Sequence, residues 1–256
     1  MKNFFFYVLL IFSMNQTKAY SAVWESKNNW NFEWEKRYES WIKKNLNQDI
    51  FTRKNGILHG ISTDCADALY AIRISFAYEN QLPFEINAPD VIKEKMKTIS
   101  NKTNMFDHIN SETNRVRAFI NFISSEVGTE NLANDTFPVA IKSIQAGFVY
   151  HVQWSLWGKI NHHSYILKGF DENNELLYYA SDAPSKVRKL QVDTPYPRFS
   201  FETSPYGFRR WKWPSELGLN DNEIPLSRGF SVEQYELAKK FGKKRVLKEI
   251  RKIYRN

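Results

Sequence analysis

The chain contains one cysteine, Cys65, within the stretch STDCADALYAIRISF (62–76). A cysteine attacks as its thiolate, and its free pKa is about 8.5, so its surroundings must favour the anion. The first turn of a helix does this through unpaired backbone N–H groups and the positive end of the helix dipole. Thr63 or Asp64 is a suitable N-cap, which places Cys65 in such a turn. The Cys65 N–H can then face the oxyanion that forms when sulfur attacks a carbonyl. Asp64 and Asp67 act against this, because nearby negative charge disfavours a thiolate. The bland alternative is a buried thiol that serves as a small hydrophobe.

A nucleophilic thiol needs a base, and the base needs an orienting partner. The histidines are His59, His108, His151, His162 and His163. The adjacent pair His162-His163 opens a predicted strand directly before a hairpin. Period-two alternation groups His163, Tyr165 and Leu167 on one face and His162, Ser164 and Ile166 on the other, so one histidine of the pair can meet the thiol. Asp182 ends the following strand, YYASD, where an antiparallel neighbour brings its carboxylate beside a histidine. Its alternative role is a turn residue in Ser-Asp-Ala-Pro. Together these residues suit attack on an amide carbonyl, with cysteine as nucleophile, histidine as base and aspartate as orienting group.

The elements that must position them read as helices first and strands second. Apolar residues at helical spacing predict helices within Trp24 to Leu46, over 65–79, over Asp90 to Ser100 and over Glu112 to Val127, the last stopped by Gly128. On the second of these, Cys65, Ala68, Leu69, Ile72 and Phe76 share a face. After Pro138 the segments GFVYHVQW (147–154), HSYILKGF (163–170) and ELLYYAS (175–181) read as strands, the last two joined by the turn Asp171 to Asn174. Asp193 to Pro214 reads as an ordered loop, and 231–254 as a basic C-terminal helix. The fold class is α+β, with N-terminal helices that carry the nucleophile packed on an antiparallel β-sheet.

Residues 1–22 have the order of a secretory signal peptide: Lys2, an apolar run of 11 residues from Phe4 to Met14, then small residues before a cut after Ser21 or Ala22. The run is shorter than the roughly 20 residues that span a bilayer, so no stable membrane insertion is expected after cleavage. The protein is expected to be secreted or periplasmic, with residues 23–256 as a single domain. A net charge of +8 suits attraction to an anionic envelope, a cell wall or nucleic acid. No nucleic-acid module is recognisable. A single cysteine excludes an intramolecular disulfide, and neither a phosphate-binding glycine loop nor a metal-ligand cluster is present, so no cofactor or metal is expected. Arg209-Arg210-Trp211-Lys212-Trp213 has the composition of a sugar- or base-stacking patch, but such residues more often pack against the body of a protein.

The order of cysteine helix, histidine strand and aspartate strand resembles the papain-like cysteine hydrolase superfamily, in particular its NlpC-like cell-wall peptidase and transglutaminase-like branches. Asp64-Cys65-Ala66-Asp67 is similar to the Asp-Cys-Ser-Gly-type start of the nucleophile helix. His163-Ser-Tyr-Ile-Leu-Lys-Gly169 is similar to the histidine strand, including its terminal glycine. Ile144-Gln-Ala-Gly147 stands where the family has a Pro-Gly-Asp turn, but Phe148 follows the glycine. Asp67 also departs from the family's small residue. The resemblance implies a papain-like fold with a helical insertion around 82–138. It favours His163 over His162 as base, with Asp182 closest to the transglutaminase-like third residue. It makes His59, just upstream of the cysteine, an oxyanion candidate. It further implies a thiol hydrolase or acyltransferase acting on amide bonds, with a peptide or peptidoglycan-like substrate. The alternative is a catalytically inactive envelope-binding protein on the same fold, with Cys65 buried.

Overall fold

The computed structural model describes residues 22–90, 92–173, 175–193 and 203–254, so the expected signal segment lies outside the described residues apart from its last position. Helix α1 (Phe32–Asn45) starts where the Asn31 side chain accepts the Trp34 N–H at 3.0 Å, with acids in its first turn and lysines in its last. Its inner face buries Tyr38 and Ile42.

Helix α2 (Cys65–Glu79) has the predicted bounds, but every residue from Cys65 to Ala77 is buried. It is a central helix with neighbours all round, where the sequence suggested a single apolar face. The charge this buries is paired: Arg73 Nη2 donates to Glu35 Oε1 of α1 at 2.6 Å, and its guanidinium lies 3.5 Å from the Trp30 ring centre.

The segment 82–138, expected as a helical insertion, is mixed. It carries a short hairpin of β1 (Glu85–Asn87) and β2 (Thr98–Ser100), then α3 (Glu112–Glu126), a 3-10 turn (Thr129–Asn131), α4 (Leu132–Asp135) and strand β3 (Thr136–Pro138). The helix expected over Asp90 to Ser100 is absent among its described residues: turns and β2 stand there instead. Pairing with β1 outweighs local helix preference at Ile99, which is buried.

The main sheet is completed by β4 (Val149–Leu156), β5 (Lys159–Phe170), β6 (Leu176–Ala180), β7 (Gln191–Asp193) and β8 (Gly207–Trp211). The strand order is β3-β8-β4-β5-β6-β7, and every neighbouring pair is antiparallel. Strand β8 lies inside the stretch expected to be loop, and it fills the place between β3 and β4. Strands β4 and β5 extend further than expected and meet at Trp157-Gly158, both with positive φ, the geometry of a tight hairpin turn. At Gly147 φ is +90°, and a Cβ there would stand 2.6 Å from the Tyr38 ring, so only glycine fits the approach of α1 to the sheet.

Two cores share this sheet. One face, with Val149, Ile166 and Tyr179, packs against α1, α2 and α3. The other, with Tyr150, Val152, Leu167, Tyr178 and Phe208, is covered by α5 (Glu233–Phe241) and α6 (Lys243–Tyr254) through Ala238, Val246, Leu247 and Ile250. The single terminal helix expected over 231–254 is two helices, broken at Gly242, where φ is +77°. Strand β5 has a bulge between Leu167 and Gly169. The extra residue, Lys168, turns its ammonium onto the carbonyls of Ile42, Lys43 and Leu46 and closes the C-terminus of α1.

Candidate active site

Asp64 is the N-cap of α2, and its Oδ1 accepts the N–H groups of Ala66 and Asp67 at 3.1 and 3.2 Å. Asp67 Oδ2 accepts the Asp64 N–H in return, at 2.9 Å. This reciprocal cap explains both aspartates around the thiol: they hold the helix start rather than the chemistry. The preceding residue is fixed as well. Thr63 pairs with Lys186 through the backbone, and its carbonyl accepts the Ser181 hydroxyl at 2.8 Å. Cys65 is therefore the first residue of a helix whose start is anchored to the chain just beyond β6.

Cys65 is 9% exposed, and its sulfur lies 3.0 Å from the Thr129 hydroxyl. Burial raises the thiol pKa, and the charge of Asp64 adds to this; the Thr129 hydroxyl and the backbone N–H groups of Ala66 and Ser164 work in the opposite direction. The net direction is upward, against the lowering that the helix terminus suggested. The helix does supply anion-stabilising groups, but removal from water outweighs them.

Contact with the Ser164 amide sets Cys65 against strand β5, and the register of β5 decides which histidine shares its face. Ser164 pairs with His151, Ile166 with Val149, and His162 with Gln153. Ile166 and Val149 belong to the core of α2, so His162, Ser164 and His151 lie on the α2 face. His163 lies on the other face, with its ring centre 4.6 Å from that of Tyr165, which packs into the opposite core. The favoured base thus gives way to the alternative one. The cause is the bulge at Lys168: unbroken alternation back from Gly169 puts His163 on the α2 face, and one extra residue reverses it.

The two other candidates lie in turns. Asp182 lies beyond the end of β6 and is exposed, and its Oδ1 accepts the N–H of Ala183 at 2.9 Å. It is the turn residue of Ser-Asp-Ala-Pro, and the buried polar group of that stretch is Ser181. His59 is exposed on a turn, its backbone N–H donating to the Gly56 carbonyl.

Beside the thiol the sheet presents a cluster of stacked rings, built from two of the candidate histidines and Tyr206. The His151 ring is buried, its Nδ1 is 2.9 Å from Ser164 Oγ, and it stacks on Tyr206 at 5.2 Å between ring centres. His162 is exposed and lies parallel to both, 6.1 Å from His151 and 6.0 Å from Tyr206. The Tyr206 hydroxyl donates to Gln153 Oε1 on the same face. Burial, then the charges of Arg209, His162 and His163, lower the His151 pKa to about 3, so this ring is neutral at ordinary pH. The sequence signal for His151 was its parity with Val149. Thr129 and Tyr206 had none, since both come from elements outside the motif.

Arg209 and Arg210 pack against the body of the protein, as the sequence favoured, buried in ion pairs with Asp221 and Glu216. Trp211 and Trp213 are buried too, so this motif is structural. Among the described residues no group of three His, Cys, Asp or Glu could hold a metal ion. No family model matches the chain, and no curated protein or solved structure matches it.

Proposed function

We propose that the protein is an exported thiol hydrolase or acyltransferase acting on amide bonds, on a variant of the papain-like arrangement. Cys65 is the nucleophile and His162 the base, and a peptidoglycan-type peptide is the substrate class. The observation that carries the reading is the contact of the Cys65 sulfur with the Ser164 amide, on the strand and face that bear His162. In the reaction His162 takes the thiol proton and sulfur bonds to the carbonyl carbon. The C–N bond then breaks as His162 returns the proton to the leaving amine, and water or a second amine cleaves the thioester. The Cys65 N–H, at the first helical position, is free of intrahelical partners and suits the oxyanion. Because the resting thiol is protonated, the proton moves during attack and no standing thiolate–imidazolium pair is required.

Release of amine from a cell-wall peptide tests this. Cys65→Ala should abolish turnover, and His162→Ala should lower it by at least about 100-fold, the span of general-base catalysis. His163→Ala and Asp182→Asn should leave it within about twofold, well under 1.4 kcal/mol of barrier. Equal losses from His162→Ala and His163→Ala would overturn the assignment. A second reading, an inactive envelope-binding protein, is favoured by the burial of the thiol and its Thr129 partner. It requires that Cys65→Ala bind cell-wall peptide as the parent does, with no turnover from either.

A further inference from the structure

The chain's positive charge is concentrated from the last turn of α5 through α6. From Lys239 to Lys252 there are eight Lys or Arg residues and one acid, Glu249, a net charge of +7 in a chain whose total is +8. The inner side of α6 is committed to the core through Val246, Leu247 and Ile250. Its outer side presents Lys244, Lys248 and Lys252, one turn apart and all exposed. Glu249 meets Arg245 at 2.8 Å and Lys252 at 3.2 Å, which leaves Lys244 and Lys248 as outward charge with no acid paired to them among the described residues. Two large apolar side chains flank this row: Phe241, 54% exposed, and Ile253, 41% exposed. Cations surround the Phe241 ring, with Lys240 Nζ 5.0 Å and the Arg245 guanidinium 5.7 Å from its centre.

We propose that this outer face docks on an anionic phospholipid bilayer. A straight row of ammonium groups suits a plane of headgroup phosphates, and long side chains can hold their charge at that level while a phenyl ring enters below it. The exposed phenyl and isoleucine favour a bilayer over a soluble polyanion, because only a bilayer offers them an apolar medium. The docking face lies on the α5–α6 side of the sheet and Cys65 on the other, so the thiol of the docked molecule looks away from the lipid. The proposal does not rest on the reading of Cys65 as a nucleophile.

Co-sedimentation of the intact protein with vesicles tests it. Phosphatidylglycerol–phosphatidylcholine vesicles should bind, pure phosphatidylcholine vesicles should not, and binding should weaken steeply with salt. Lys244→Gln combined with Lys248→Gln should weaken binding at least about tenfold. Phe241→Ser should weaken vesicle binding and leave binding to soluble polyphosphate unchanged. Equal binding to both vesicle types would overturn the proposal. So would polyphosphate binding as tight as vesicle binding with Phe241→Ser altering neither, which would make a soluble polyanion the occupant.

Discussion

At the level of single residues, the environment of Cys65 sets two opposing influences, and burial wins. Alkylation of the native protein should therefore rise with pH around a midpoint above the free thiol's roughly 8.5. Thr129→Val removes a hydrogen bond that favours the anion and should move the midpoint higher still; a downward move would mean the hydroxyl does not donate to sulfur. The cap gives a second expectation. Burial pushes the Asp67 pKa up to about 6, partly offset by the Asp64 N–H. The folded state therefore binds the proton more tightly than the unfolded chain, whose aspartates titrate near 3.9. The stability this contributes is fully present below about pH 4 and is lost as pH rises through about 6. Urea unfolding across that window should show Asp67→Asn losing less stability with rising pH than the parent. Parallel pH profiles would refute the shift. Asp135, buried under Tyr70 and Asn87 and raised to about 6, titrates in the same direction and remains in both proteins.

At the level of elements, Lys168 belongs to strand and helix together. Lys168→Met keeps the bulk of the stem but leaves two α1 carbonyls and that of the C-cap Leu46 without their ammonium, and should cost about 1.5–3 kcal/mol in chemical unfolding. A loss within error of zero would show that water caps α1 equally well. The same residue explains what could be read in advance and what could not. Helix α2 was legible to the residue because Asp64 and Asn80 punctuate it locally. The two strands nearest the site were legible from alternation. The choice of histidine was not, because a bulge is set by partners from other elements, here the end of α1. Strand β8 escaped for a related reason: Gly207–Trp211 is held by β3 and β4, distant in sequence, and Arg209-Arg210 masks its apolar pattern with cations that are paired inside the protein. The hairpin of β1 and β2 lay hidden under a helix-like spacing.

For the molecule as a whole, the first described residues constrain the export proposal. Val23 is fully buried and its N–H donates to the Asn101 carbonyl at 2.7 Å, and Trp24 Nε1 donates to the Leu82 carbonyl at 3.0 Å. A cut after Ser21 or Ala22 preserves both contacts, and a later one removes a core residue. Sequencing of protein recovered outside the producing cells should find a start at residue 22 or 23, and a start at Met1 would defeat the proposal. The β5 bulge has a consequence on this same scale. Odd and even positions exchange meaning at Lys168: before it, even numbers look toward the thiol, and after it, odd numbers do. Excising that one residue would give the strand a single count from end to end. The stretches on either side could then no longer both keep their places, and one would have to trade its side chains between the two cores.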